Sequence, residues 1–247
     1  MMSMTTSDGV SEQDFTVGDI PGVLWFPAGA TDPRPLVLLG HGGGQDKKGP
    51  GLAPRARRLV TGCGFAAAAI DMPGYADRPK TEQDERFMAD LAERRAAGLP
   101  VAERILHYSL TLAERAVPEW QAVLDALAEA GAAGPVGYWG VSLGTLIGVP
   151  LAATEPRIRA AVFGLAGRTG LAEAAARITI PVEFLLQWDD ELVPRASGLA
   201  LFGALASAEK TLHANPGRHR EVPEFELDSS QRFLARHLGP GQGAPIQ

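Results

Sequence analysis

The sequence predicts an α/β protein, a three-layer α/β/α sandwich built on a mostly parallel sheet with helices on both faces. Three observations carry this. Short, continuously apolar runs such as Pro35-Leu36-Val37-Leu38-Leu39-Gly40 are the pattern of strands covered on both sides. These runs alternate with helical patterns along most of the chain, and that alternation favours parallel pairing through helical crossovers. Finally, 45% of the 247 residues are hydrophobic, enough for a sizeable core within the usual size of one α/β domain. No composition shift marks a linker, so a single domain over 1–247 is expected, with 1–12 and 239–247 as flexible tails.

Taken in order, Phe15 to Phe26 holds two short strand-like runs broken by Gly18 to Pro21, and Pro27 to Pro35 reads as loop. The strand at 35–40 runs into His41-Gly42-Gly43-Gly44. A helix is expected over Leu52 to Thr61 and a buried strand over Phe65 to Ile70, ended by the turn residues Asp71-Met72-Pro73-Gly74. Residues 75–116 change character, being rich in Glu, Asp, Arg and Ala. Phe87 and Leu91 lie one helical turn apart there, and Val101, Ile105, Tyr108 and Leu112 share a second helical face. This is a helical insertion, either a lid or a packed embellishment.

The core rhythm then resumes with a helix over Pro118 to Ala130, where Pro118 suits a first turn. A strand at Val136 to Trp139 precedes a helix containing Leu146, Ile147 and Leu151, which Pro150 should kink or end. Strands follow at Ala160 to Leu165, Pro181 to Leu186 and Lys210 to His213. Helices are expected at Leu171 to Ile178, Ala196 to Ala206 and Pro223 to His237.

Composition narrows the function. A net charge of −6, with no basic stripe, argues against nucleic acid and against an anionic membrane surface. No apolar run approaches the roughly 18 to 20 residues of a membrane span. The first fifteen residues lack Lys and Arg, so no signal-peptide n-region is present and a cytoplasmic location is expected. Cys63 is the one cysteine and is read as core filling. The histidines are scattered, without Cys/His clusters or HExxH spacing, and no phosphate-binding loop occurs. Neither metal nor nucleotide cofactor is expected.

The stretch with chemistry in it is Gly140-Val141-Ser142-Leu143-Gly144, between a strand and a helix. A serine at the apex of such a turn is held in strained torsions, and side chains at the flanking positions would collide with strand and helix. The motif alone is weak: with 29 glycines and nine serines it arises by chance in roughly one such chain in eight. A serine hydroxyl needs a base and an orienting acid. Of five histidines, His41 belongs to the glycine loop, His107 to the insertion, His213 to a strand and His237 to a solvated helix face. His219 alone occupies a loop directly after a strand, at the sheet edge that presents Ser142. The acid should lie between serine and histidine at that same edge, which offers Asp189 and Asp190, with Glu191 a third choice. Oxyanion donors are expected from the N–H of Leu143 and from the glycine loop, Gly43 first and Gly44 second.

Together these pieces resemble the α/β-hydrolase superfamily over residues 20–238: HGGG at 41–44, DMPGYA at 71–76, GVSLG at 140–144, WDDELVP at 188–194 and NPGRH at 215–219. The resemblance implies an eight-stranded-type sheet. It favours Asp190 over Asp189 as the acid, because family members often carry Val-Pro three residues after it, as Val193-Pro194 stand here. The end of the chain is most similar to the dienelactone-hydrolase-like branch, whose nucleophile is cysteine; serine here points to ordinary carboxylic esters. The expected activity is that of a serine esterase on a small-molecule ester, with thioesterase, lactonase or peptidase action by the same residues as neighbouring alternatives. A receptor-like binding protein with little turnover is the alternative of another class.

Overall fold

The computed structural model describes residues 3–239. Nine strands form one sheet: β1 (Met4–Ser7), β2 (Val10–Val17), β3 (Ile20–Pro27), β4 (Arg34–Gly40), β5 (Ala66–Ile70), β6 (Ala133–Gly140), β7 (Ile158–Gly164), β8 (Val182–Gln187) and β9 (Lys210–Asn215). Their spatial order is β1-β2-β3-β5-β4-β6-β7-β8-β9. From β5 to β9 every pairing is parallel, while β1, β2 and β3 pair antiparallel and extend the sheet on the β5 side.

The helices are α1 (Ala53–Cys63), α2 (Glu82–Ala96), α3 (Ala102–Glu129), α4 (Leu143–Thr154), α5 (Ala172–Ala175), α6 (Arg195–Ala204) and α7 (Phe225–Leu238). Strand alternation divides the core in two. Leu36, Leu38, Tyr138, Phe163 and Phe184 face the side covered by α3 and α4. Val37, Leu39, Trp139, Val162 and Leu185 face the side covered by α1 and α7. Cys63 is buried in that second layer, as core filling requires. The apolar runs are continuous because both faces of the central strands are covered.

Four expectations are corrected. Residues 3–12 are not a frayed tail: β1 and the start of β2 form a hairpin pairing Ser7 with Val10, while 1 and 2 of the expected tail lie outside the described residues. Its turn is Asp8-Gly9, both at positive φ (51° and 75°), a pair that suits tight hairpins. The sheet therefore has nine strands rather than eight. The predicted break at Pro118 is absent, since α3 runs unbroken for 28 residues through it. An interior proline costs about 3 kcal/mol, but Leu112, Ala116, Trp120, Val123 and Leu124 on either side are fully buried, and their packing outweighs it. α4 also continues through Pro150 to Thr154, so that proline does not end the helix. Of the expected C-terminal tail, 240–247 lies outside the described residues.

The insertion at 75–116 is α2 together with the first half of α3. Phe87 stacks on Tyr108 with ring centroids 3.8 Å apart. The α2 start is closed by a reciprocal cap between Thr81 and Asp84.

Sheet order also fixes where a ligand fits. β5 lies on one side of β4 and β6 on the other, so the crossover direction reverses between β4 and β6. A crevice opens beyond the carboxyl ends of strands at such a point. Gly40 and Gly140 pair in register there, which sets the glycine loop after β4 beside the turn after β6.

Candidate active site

Ser142 stands between β6 and α4 with φ 57° and ψ −118°, a strained conformation for a side-chain-bearing residue. Neighbouring glycines make the turn possible. A Cβ on Gly144 would come within 2.7 Å of the Gly40 carbonyl oxygen, and one on Gly140 within 2.9 Å of the Gly144 backbone. The Tyr138 hydroxyl donates to the Gly144 carbonyl at 2.6 Å, and the Ser142 N–H donates to Gly164 O at 2.9 Å. Thr145 is fully buried: its Oγ1 accepts the Gly164 N–H at 2.8 Å and lies within hydrogen-bond reach of Gly164 O and Gly140 O. The turn is thus bolted to the end of β7. Sequence reading missed Thr145 and Tyr138, because neither belongs to the motif.

Ser142 itself is half-buried, so its hydroxyl can be reached from the crevice. His219, 7% exposed, sits in the loop after β9 with Nε2 2.9 Å from Ser142 Oγ. Its Nδ1 lies 2.7 Å from Asp190 Oδ2. Asp190 is held from behind, its Oδ1 accepting the N–H groups of Leu192 and Val193 at 2.8 and 2.9 Å. Asp189, with a side chain 66% exposed, faces Arg195 instead. Glu191 accepts the backbone N–H of His219 at 3.0 Å and makes no contact with the ring. Of the three acid candidates, only Asp190 meets the imidazole.

Leu143 is the first residue of α4, so its N–H has no acceptor inside the helix and points with the positive end of the helix dipole. In the glycine loop, Gly43 and Gly44 are exposed, and a Cβ on either would meet nothing within 4 Å. The loop is anchored at both ends. His41, fully buried, accepts the Met72 N–H on Nε2 at 3.1 Å, and its Nδ1 lies 2.9 Å from Gly42 O. Burial pushes the His41 imidazole below its usual pKa, which matches the neutral tautomer these partners need. Lys47 closes the other end by binding Asp71 through Nζ, at 2.5 Å, and through its backbone N–H.

The remaining histidines lie elsewhere. His107 is exposed on α3. His237 is not solvated as expected: its side chain is 11% exposed, packed on Phe233 and near Glu209. His213 belongs to a cluster that spacing did not reveal, with Glu183 and Glu226, whose ligating atoms all lie within 4.8 Å of one another. Each carboxylate oxygen there already accepts a hydrogen bond, from Ser229, Ser230, Asn215 or the His213 ring. The group ties β8 and β9 to α7. Among the described residues, no helix is long and apolar enough to cross a membrane.

This fold, with a strained serine, a histidine and a buried aspartate joined at the sheet edge, defines a hydrolase of the α/β type. Solved structures agree. A cold-adapted esterase from an Arctic intertidal metagenomic library, solved with bound PEG, is 36% identical; the match covers 95% of this chain and 97% of that one with a TM-score of 0.74. Est1E from Butyrivibrio proteoclasticus, solved with ferulic acid, is 15% identical over 91% of this chain and 98% of that one, TM-score 0.68. The acetyl xylan esterase from Paenibacillus sp. R4 is 16% identical over 96% and 88%, TM-score 0.65. These last two share the fold. No family model matches the sequence, and no curated protein matches it. The chain belongs to the α/β-hydrolase superfamily, where it groups with esterases.

Proposed function

We propose that this chain is a serine esterase that cleaves carboxylic esters through an acyl-enzyme at Ser142. The observation that carries the reading is the unbroken hydrogen-bonded series Asp190–His219–Ser142, with contacts of 2.7 and 2.9 Å. Ser142 Oγ attacks the acyl carbon while His219 Nε2 takes its proton. Asp190 orients the ring and stabilises the imidazolium that forms. The oxyanion is met by the Leu143 N–H and by an N–H of the glycine loop, Gly43 first and Gly44 second; one such donor is typically worth about 3 kcal/mol. His219 then protonates the leaving alcohol and activates water for deacylation, which regenerates Ser142.

Esters rather than peptides fit a chain that is 36% identical to an esterase over 95% of its length. The test is turnover of 4-nitrophenyl esters of increasing chain length by the wild type and by Ser142→Ala. The variant should fold normally and lose several orders of magnitude in kcat, because members of such a series fail as a unit. Unchanged turnover by Ser142→Ala would sink the mechanism. Stoichiometric labelling of Ser142 by a fluorophosphonate with no ester turnover in the wild type would make the protein a receptor instead.

A further inference from the structure

We infer that Gln187, outside the reacting atoms, is a positioning residue for His219. The inference rests on the serine-esterase reading above. Gln187 ends β8, three residues before Asp190, and is 1% exposed. Its Nε2 points into the loop that carries His219. It lies 2.8 Å from the Glu221 carbonyl, 3.3 Å from that of Arg218 and 3.4 Å from that of Pro216. These carbonyls lie on both sides of His219, in a segment with no strand or helix of its own. One amide supplies two hydrogens to this group of three, and Arg218 O also accepts the Glu221 N–H at 2.9 Å.

The same two segments are joined along their backbones. Trp188 N–H donates to Asn215 O at 2.7 Å, and Asp189 N–H donates to Gly217 O at 3.1 Å. Gly217 has φ 116°, and a Cβ there would sit 3.2 Å from Gln187 Nε2, so the close approach of amide and loop depends on glycine. The acid segment 187–191 and the base segment 215–221 therefore behave as one piece, with Gln187 its internal cross-brace. Gln187 touches neither the imidazole nor the serine; it acts by fixing the backbone from which His219 projects toward Asp190 and Ser142.

A donor is what the site demands. Methionine has similar length but removes the amide donor from the Pro216 and Glu221 carbonyls, while Arg218 O keeps the Glu221 N–H. Glutamate keeps the shape but, when ionised, sets an anion against them. A displaced imidazole affects the chemical step rather than substrate binding, and a shift on the order of 1 Å can cost about a hundredfold.

The experiment compares wild type, Gln187→Met, Gln187→Glu, Asp190→Asn, the double variant Q187M/D190N and Ser142→Ala on a 4-nitrophenyl ester, with a thermal melt for each. Expected is a fall in kcat of about 10- to 100-fold for both Gln187 variants with KM within about 2-fold. In the Asp190→Asn background, Gln187→Met should cost less than about 2-fold, because the pairing it protects is already lost. A kcat within 2-fold of wild type in either folded Gln187 variant overturns the role, as does full additivity in the double variant. Gln187→Glu, nearly isosteric, keeps the test available if Gln187→Met does not fold. Turnover retained by Ser142→Ala would instead refute the underlying esterase reading, so the two failures are distinct.

Discussion

Asp190 Oδ2 lies 2.7 Å from His219 Nδ1, while its Oδ1 is held by the N–H groups of Leu192 and Val193. The carboxylate is thus clamped on one side and committed to the imidazole on the other, with its side chain 4% exposed. Asp189, one residue earlier, points to solvent and approaches Arg195 only at 4.0 Å. Asp190→Asn should therefore lower kcat by about 10³- to 10⁴-fold by favouring the wrong imidazole tautomer. Asp189→Asn should stay within about 2-fold, as a solvated surface change does. Steady-state kinetics on the two variants decide the assignment; equal losses would refute it.

The serine turn has a second support in Thr145. Its hydroxyl accepts the Gly164 N–H and can donate to the Gly164 or Gly140 carbonyl, all in a fully buried site. Thr145→Val keeps the shape and strands the Gly164 N–H, while Gly164 O keeps the Ser142 N–H. A buried donor left unsatisfied costs about 1–3 kcal/mol, so urea unfolding should show a loss of that size. Since Gly164 also receives the Ser142 N–H, labelling of Ser142 by a fluorophosphonate should slow as well. A variant as stable and as reactive as wild type would show that the backbone of β7 does not hold the turn.

Much of this site was legible in the sequence because each of its parts has a local signature. Gly140 and Gly144 mark the turn, His41-Gly42-Gly43-Gly44 follows a buried strand, and outside that glycine loop His219 is the one histidine in a loop after a strand. Asp8-Gly9 was just as legible a hairpin signal, yet the polar composition around it suggested a tail. Pro118 misled for the opposite reason: local propensity argues for a break, and burial of the residues on either side overrides it. Gln187 and Thr145 have no signature at all. Their partners are backbone carbonyls and N–H groups 5 to 34 residues away, which no side-chain pattern records. The Glu183–His213–Glu226 cluster escaped in the same way, being assembled from two strands and the start of α7.

A buried carboxylate fastens the insertion, beside the more exposed Asp90–Arg104 contact between α2 and α3. Asp84, 1% exposed, accepts the Thr81 N–H at 2.7 Å, the Tyr108 hydroxyl at 2.7 Å and two nitrogens of Arg115. Burial alone would raise its pKa; the donors from Arg115, Thr81 and Tyr108 outweigh this and hold it well below the ordinary 3.8. The stabilisation is present above pH 3.8 and is lost as pH falls through the depressed value. Removing one partner of a buried ion pair costs about 3–5 kcal/mol. Asp84→Ala should lose about that much in urea unfolding at pH 7, and the gap from wild type should narrow on acidification below pH 4. A gap that is absent at pH 7 would mean that α2 is held without Asp84, by contacts such as Phe87 on Tyr108 and Asp90 with Arg104.

A separate acid sensitivity arises in the glycine loop. His41 is 0% exposed, and its Nε2 accepts the Met72 N–H, so a proton there would set donor against donor inside the core. Burial is the largest cause of its lowered pKa, only partly offset by Gly42 O and Asp71. The unfolded chain therefore binds this proton more readily than the folded one. The contribution of neutral His41 is complete above the ordinary value of 6.5 and is lost as pH falls from 6.5 through the lower folded value. The slope is at most about 1.4 kcal/mol per pH unit for one group. Glutamine at this position can accept from Met72 and donate to Gly42 without titrating. Stability against urea, measured from pH 7.5 to pH 5, should fall more steeply for wild type than for His41→Gln. His237, also lowered by burial, and Glu183, raised by it, are common to both proteins, so the difference between the two curves isolates His41. Parallel curves over that window would mean that His41 does not couple folding of the glycine loop to pH.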